Sequence, residues 1–374
     1  MAARFDVLDG IEDEMMYLEH ANHCGNNRIG VIVERGDPFE DLGDRKFEER
    51  FRLSKETVWW LVDQMNDRLE FPTNRNNPVS PMNRVLATLR SYATGAFNIV
   101  IGDTANIHRT TVQRITSEVS EIIASFFPRF IVFPARADLQ NVMDGFHQID
   151  GFPGVIGTID CTHIRIQSPG GDNAEHFRNR KGYFSLNCQT ISDHNLLIRD
   201  IVARWAGSVH DRTIFRNCAR RAQFENGEIP HGYLLGDGGY ACKPYLLTPL
   251  LNPLPPAEQR YNRAHIKTRN TVERQYGIWK RRFPILSVGL RCGLQKAMTV
   301  ITATAILHNI ARSTSNEEPP EDPQMVRLLE ELRGLRGPDI DDDDEPVPQG
   351  ELMQRNDAVP GRAFRQAIIN QHFQ

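Results

Sequence analysis

The sequence predicts an α/β protein in which a mixed sheet with flanking helices follows an all-helical N-terminal region. Three observations predict it. Residues 155–167, 183–192 and 196–205 are apolar-rich runs of strand pattern, the last two joined by the turn signal Ser192-Asp193-His194-Asn195. A helical stretch (214–224), a short apolar strand (233–236) and a long helix (262–283) follow, an alternation expected of a sheet covered by helices. Upstream, residues 84–127 carry apolar side chains at helical spacing almost throughout.

The 374 residues suffice to bury a full core and, by the length prior, to form two domains. With 40% hydrophobic and 25% charged residues the composition is that of a soluble globular protein. No run of about 18 apolar residues occurs, and the first residues carry acids where a signal peptide needs an apolar core, so an intracellular, membrane-free protein is expected. Six scattered cysteines without a C-x-x-C pair suit reduced thiols. The net charge of −4 hides an uneven distribution. Acid gathers at Asp339, Asp341, Asp342, Asp343, Asp344 and Glu345, and base gathers at 178–181 and 260–282. A phosphate backbone responds to the local patch, because screening limits reach to about 10 Å at moderate salt.

Residues 1–50 read as a polar arm, in which His20, His23 and Cys24 lack a fourth ligand at metal-binding spacing. Residues 51–134 read as a helical region. It opens with Ser54 as the N-cap of an amphipathic helix and continues through the Pro/Asn-rich loop 71–82. Within it, residues 103–115 have the pattern of a helix, a tight turn and a second helix. That second helix would present Arg109, Thr110, Gln113 and Arg114 to phosphates and base edges of a major groove. A three-helix packing module without nucleic acid accounts for the same pattern. Residues 135–313 hold the α/β domain, closed by an apolar helix at 297–311. Residues 314–374 form an acidic, largely disordered tail with a small interaction helix at 364–373.

Chemistry concentrates in a few carboxylates. Residues 260–282 contain eight Lys/Arg and one acid, Glu273, beside the helical stripe Val272, Tyr276, Trp279 and Phe283. Asp160 and Asp237 each close a short apolar run that reads as a buried strand, and Asp237 breaks at once into Gly238-Gly239. Ionised carboxylates in such settings are costly unless paired or metal-bound, so three of them suggest one shared cation site. Simpler alternatives exist. Asp160 and Asp237 could cap turns, and Glu273 could pair with Arg269 or Arg274. Asp211 fits an extra metal ligand and a helix N-cap equally well. Asp193 sits in a turn signal and is read as structural, while His163 and His210 fit phosphate contact and simple hydrogen bonding alike. Arg178, Arg180 and Lys181 form a basic loop suited to positioning phosphate. No Walker glycine loop and no Gly-x-Ser-x-Gly occur, which argues against an ATPase and a serine hydrolase.

Three ordered blocks carry a family likeness: residues 157–164 (GTIDCTHI), 236–240 (GDGGY) and 269–283 (RNTVER…WKRRF). They resemble the Asp-Asp-Glu blocks of the PIF/Harbinger transposase superfamily, most closely its host-domesticated branch, the Harbinger transposase-derived nucleases. The likeness spans residues 51–313. It departs at Gly238, where relatives often carry Ser. The resemblance implies a ribonuclease-H-like fold, a helix-turn-helix at 103–115, and divalent-metal-dependent cleavage of DNA with Mg²⁺ or Mn²⁺. Asp160 would bridge two ions, Asp237 and Glu273 would each hold one, and Asp211 matches a position taken as a further ligand. It also implies a Myb/SANT-like partner that supplies DNA specificity and nuclear import, and hence residence in nucleus and cytoplasm. The rival expectation is a catalytically silent DNA-binding or partner-docking protein that retains the fold. Intact Asp160, Asp237 and Glu273 favour the nuclease.

Overall fold

The computed structural model describes residues 35–70, 78–314 and 359–374, together with 318, 319, 323, 326 and 327. His20, His23 and Cys24, the loop residues 71–77 and the acidic run at 339–345 lie outside the described residues.

Helix α1 (Asp44–Phe51) leads into α2 (Lys55–Leu69), whose first turn is closed by Ser54 Oγ accepting the Thr57 amide at 3.2 Å. Helix α3 (Pro81–Thr94) begins with proline, which costs no hydrogen bond there, and ends at left-handed Gly95. Helices α4 (Asn98–Ala105) and α5 (Arg109–Ala124) meet across a tight turn in which Asn106 is left-handed. Gly102 permits that turn, since a Cβ there would lie 2.3 Å from the Ile107 carbonyl. The helical pattern read over 84–127 is thus three helices.

After α6 (Leu139–Asp150) the chain enters the sheet. Strands β1 (Val155–Arg165), β2 (Ser185–Ser192) and β3 (Ile198–Ala206) pair antiparallel in sequence. Helices α7 (Asp211–Arg216) and α8 (Ala219–Glu225) then carry the chain to β4 (Tyr233–Leu235), which adds to the far side of β1 in parallel, and β5 (Leu246–Leu247) continues in parallel with β4. The order β3-β2-β1-β4-β5 makes a mixed sheet. Helix α9 (Pro256–Arg282) crosses it, α10 (Leu294–Thr314) covers β3, and α11 (Val359–His372) closes the described chain.

The main departures from expectation are in three elements. The helix expected over 214–224 is two helices separated at Asn217 and Cys218, with Cys218 Sγ accepting the Arg221 amide at 3.4 Å to start the second. Helix α9 begins at Pro256, six residues earlier than read, because proline at a first turn supports a helix start. Strand β5 has two residues, too few to show an alternating pattern.

One hydrophobic cluster joins residues on both sides of position 134. Phe47, Leu61, Val85 and Ile115 of the N-terminal helices share it with Ile164 and Leu186 of the sheet, Trp279 and Phe283 at the end of α9, and Ile301 and Ile306 of α10. The N-terminal half of α9 belongs to a second cluster, where Tyr261 packs with Phe152, Val155 and Leu247. Helix α11 docks on that second cluster. Gly361 lies against the Cys242 carbonyl, Arg365 donates to the Thr248 carbonyl at 3.2 Å, and the Phe373 ring sits 5.3 Å from Phe152. Residues 359–372 of the segment read as a tail are therefore a packed helix.

Two buried histidines tie helices to the sheet. His265 of α9 donates Nε2–H to the Leu247 carbonyl at 3.1 Å, and His308 of α10 donates to the Leu196 carbonyl at 2.8 Å. Asn309, next to His308, pairs with both the amide and the carbonyl of Ile198 and so satisfies part of the exposed edge of β3. Burial strips water from the imidazolium and pulls both histidines down to about 3. A depressed base binds its proton first in the unfolded chain. Its contribution is therefore present above the unfolded value of 6.5 and lost as pH falls towards 3, with a slope approaching about 1.4 kcal/mol per pH unit. Urea unfolding at pH 7 and pH 5 should show the loss, and His308→Gln should make the difference smaller by about 1 to 2 kcal/mol.

Candidate active site

Strands β1 and β4 run parallel with Thr158 opposite Leu235. Asp160 lies two residues further along β1, and Asp237 lies two residues past the last residue of β4, where the chain leaves the sheet. The Asp237 loop is tight: its Oδ1 accepts the Gly239 amide at 3.0 Å, and its carbonyl accepts the Tyr240 amide at 3.3 Å. A Cβ on Gly236 would come within 2.9 Å of the Tyr240 ring, so this bend needs glycine.

Helix α9 lays one face across this level. Arg269, Glu273, Tyr276 and Lys280 follow at spacings of four, three and four and so form a single stripe. Arg269 Nη1 donates to Asp160 Oδ2 at 2.9 Å while its Nη2 donates to Glu273 Oε1. Tyr276 donates its hydroxyl to the Asp160 carbonyl at 2.6 Å. Lys280 reaches Thr162 Oγ1 at 2.5 Å and the His163 carbonyl at 3.3 Å. The alternative reading of Glu273 as an ion-pair partner of Arg269 is thus realised in this arrangement, and Asp160 shares the same guanidinium.

Burial pushes the Asp160 carboxyl well above the usual range. The Arg269 cation opposes that shift, and the charges of Asp237 and Asp211 add to it. Three carboxylates therefore sense one another at this point. Among the described residues no group of three or more His, Cys, Asp or Glu side chains is arranged to hold a metal ion. The donors are nevertheless carboxylate oxygens alone, the ligand type a hard divalent cation takes, and what separates Asp160 from Glu273 is a flexible guanidinium.

Side chains alternate along β1, so Cys161 points away from Asp160. Its Sγ lies 3.5 Å from the Tyr240 hydroxyl and 3.7 Å from Gln189 Nε2. Asp211 belongs to that opposite side. Its Oδ1 accepts Asn187 Nδ2 at 2.8 Å, and Asn187 stands opposite His163. The N-cap of α7 is His210, which places Asp211 one position inside the helix, with a side chain tied to β2. Asp193, read as structural, is fully buried. It receives the amides of Asn195 and Leu197 at 2.9 Å each and Arg199 at 2.7 Å. His163 Nδ1 lies 3.1 Å from Ser185 Oγ.

The remaining candidates lie elsewhere. Thr110, Gln113 and Arg114 are exposed on the first turns of α5, and Arg109 is half-buried at its first position. Their spacing leaves Val112 and Ile115 to fill the core. In the basic loop Arg180 and Lys181 are exposed, while Arg178 is held by Glu175 at 2.7 Å and lies over the Phe184 ring.

Sequence reasoning passed over Tyr276 as a site residue, as well as Lys280, Asn187 and Gln189. Tyr276 and Lys280 were available from the spacing of α9, seven and eleven residues after Arg269. Asn187 and Gln189 were not, because a polar residue in a strand signals nothing until its neighbours are known.

A carboxylate in the middle of β1, a second two residues past the parallel strand β4 and a third on the crossing helix α9 fit a DDE-type nuclease-like domain. Residues 159–309 match the model of the DDE superfamily endonucleases. The chain is 33% identical over 315 residues to "Putative nuclease HARBI1" of Rattus norvegicus, covering 79% of this chain and 90% of that protein. It is 33% identical over 277 residues to the human protein of the same name, with 73% and 79% covered. "Protein ALP1-like" of Arabidopsis thaliana is 25% identical over 71% of this chain and 70% of its own length. No solved structure matches. The chain belongs to the family of Harbinger transposase-derived nucleases.

The electrostatics give a check that needs no substrate. The raised Asp160 carboxyl contributes stability below its unfolded value of 3.8, and this is lost as pH rises through the folded value. In EDTA at pH 7, Asp160→Asn should therefore melt above the parent, and the gap should close towards pH 4. Differential scanning fluorimetry across that range decides it, and a variant that melts lower at every pH would contradict the assignment of burial as the dominant cause.

Proposed function

We propose that the protein is a divalent-metal-dependent nuclease that hydrolyses DNA phosphodiester bonds on a ribonuclease-H-like fold. The observation that carries this reading is that Arg269 of α9 bridges Asp160 of β1 to Glu273, while the charge of Asp237, just past β4, reaches Asp160. A sheet in which the first strand is central, antiparallel to the second and parallel to the fourth supports the fold assignment. Mg²⁺ or Mn²⁺, when bound, supplies a more acidic water and positive charge opposite the developing oxyanions. Asp160, Asp237 and Glu273 would hold the ions. Asp211, tied to Asn187 on the other pleat face, acts through its charge rather than as a direct ligand.

The chain's own residues do the rest. Tyr276 holds the Asp160 carbonyl and so fixes the middle of β1. Lys280, anchored on Thr162 Oγ1, puts a positive charge where a phosphate entering along α9 would lie. Arg178, Arg180 and Lys181 position the backbone further out, and Arg109, Thr110, Gln113 and Arg114 present a helix start to DNA in the manner of a helix-turn-helix. A Myb/SANT-like partner supplying site choice, and residence in nucleus and cytoplasm, complete the proposal. A second reading, a silent docking protein, is favoured by one observation: the Arg269 bridge already neutralises two of the carboxylates.

Cleavage separates the two readings. Asp237→Asn and Glu273→Gln should each lower strand cleavage in Mn²⁺ by on the order of a hundredfold or more while leaving DNA affinity in Ca²⁺ nearly intact. A parent protein that binds DNA yet never cuts, with or without a Myb-like partner, would establish the docking reading instead. For the DNA contact, Arg109→Ala with Arg114→Ala should weaken binding and reduce the log–log salt slope by about 0.9 per lost phosphate contact. An unchanged slope would return α5 to a packing role.

A further inference from the structure

We propose that Arg269 is the resident cation of the carboxylate site and competes with the divalent ion for it, so that metal loads only when this guanidinium withdraws. The inference rests on the metal-dependent reading above. It deepens that reading by naming what controls the site.

The geometry supplies the argument. Arg269 stands between carboxylates from different elements, one amino group on Asp160 Oδ2 at 2.9 Å and the other on Glu273 Oε1. Asp160 and Glu273 are also two of the residues that would hold the ion. Only 14% of the Arg269 side chain and 14% of Asp160 are exposed, so the pair is largely out of water. There a second cation beside the guanidinium would be repelled with little screening. Both cannot occupy the same oxygens.

The surroundings hold Asp160 independently of the arginine. Asp160 is fixed through its backbone carbonyl by Tyr276 and through Oδ1 by the Cys161 amide at 2.7 Å. Glu273 is 37% exposed and sits one turn along the same helix face, so its backbone position is set by α9 whether or not the arginine is there. Arginine has a long unbranched stem, and its head is at home on phosphate as well as on carboxylate. Lys280, eleven residues further along the stripe, is held on Thr162 and the His163 carbonyl, away from Glu273 and Asp160. Of the two basic residues on the stripe, Arg269 is the one that stands in the way.

The test is direct binding of Mn²⁺ to the full chain after EDTA stripping, read from the electron paramagnetic resonance signal of free Mn²⁺, with no substrate present. Arg269→Gln should bind Mn²⁺ on the order of tenfold more tightly than the parent, since a competing charge is gone. Arg269→Lys, which retains the charge but can reach only one carboxylate, should fall between the two, and it decides the matter alone if the glutamine variant does not fold. Equal or weaker binding by the variants overturns the competition and leaves the metal reading standing. Binding by none of the three proteins, or binding that survives Asp160→Asn undiminished, overturns the metal reading and the competition with it.

Discussion

The middle of β1 sets the terms for the rest of the molecule. Asp160 is largely out of water there, and a carboxylate so placed must meet positive charge or give up its own. Helix α9 supplies that charge through Arg269 and fixes the adjoining backbone through Tyr276. Everything that holds α9 in place therefore also holds the site.

That support comes from two cores rather than one. The first half of α9 is seated by Tyr261, Ala264 and the His265 bond to β5. The second half is seated by Val272, Trp279 and Phe283 among the N-terminal helices and α10. A helix of 27 residues is about 40 Å long, so anchoring both ends limits its tilt at the middle, where Arg269 and Glu273 stand. Helix α11 thickens the first anchor by covering Phe152 and Tyr261. Arg282, at the other end, donates to the Arg52 carbonyl at 2.9 Å and ties the helix to the N-terminal region. The charged stripe is thus presented by a rigid element rather than by a loop, which suits chemistry that depends on ligand position.

The charge distribution follows the same logic. A chain with net charge −4 still carries a stripe of base on α9 and exposed cations at the start of α5 and in the loop at 180–181. A phosphodiester would meet these patches and not the average. Within the stripe the two basic residues divide their work by partner. Lys280 bonds neutral oxygens, whereas Arg269 spans two carboxylates with the fork geometry that lysine lacks.

Periodicity and short-range chemistry made much of this legible from the amino acids alone. The strands carrying Asp160 and preceding Asp237, the apolar stripe of α9, the Ser54 cap and the turn before Arg109 are properties of residues close in sequence. Each appears near its expected place. Asp211 shows the limit. Its neighbours allowed a ligand or a cap, and only the fold brought Asn187 of β2 within hydrogen-bond reach of its side chain. The pairing of the two-residue β5 and the docking of α11 are decided by contacts between residues further apart in the chain, which no local pattern records. The same holds for Arg269. Glu273 lies one turn along its own helix and was a foreseeable partner, but Asp160 is 109 residues away, and the pairing exists only because the sheet and the helix cross at that point. Local sequence determined which groups carry charge and which elements bear them. Tertiary structure decided which of those charges had to share a space from which water is excluded.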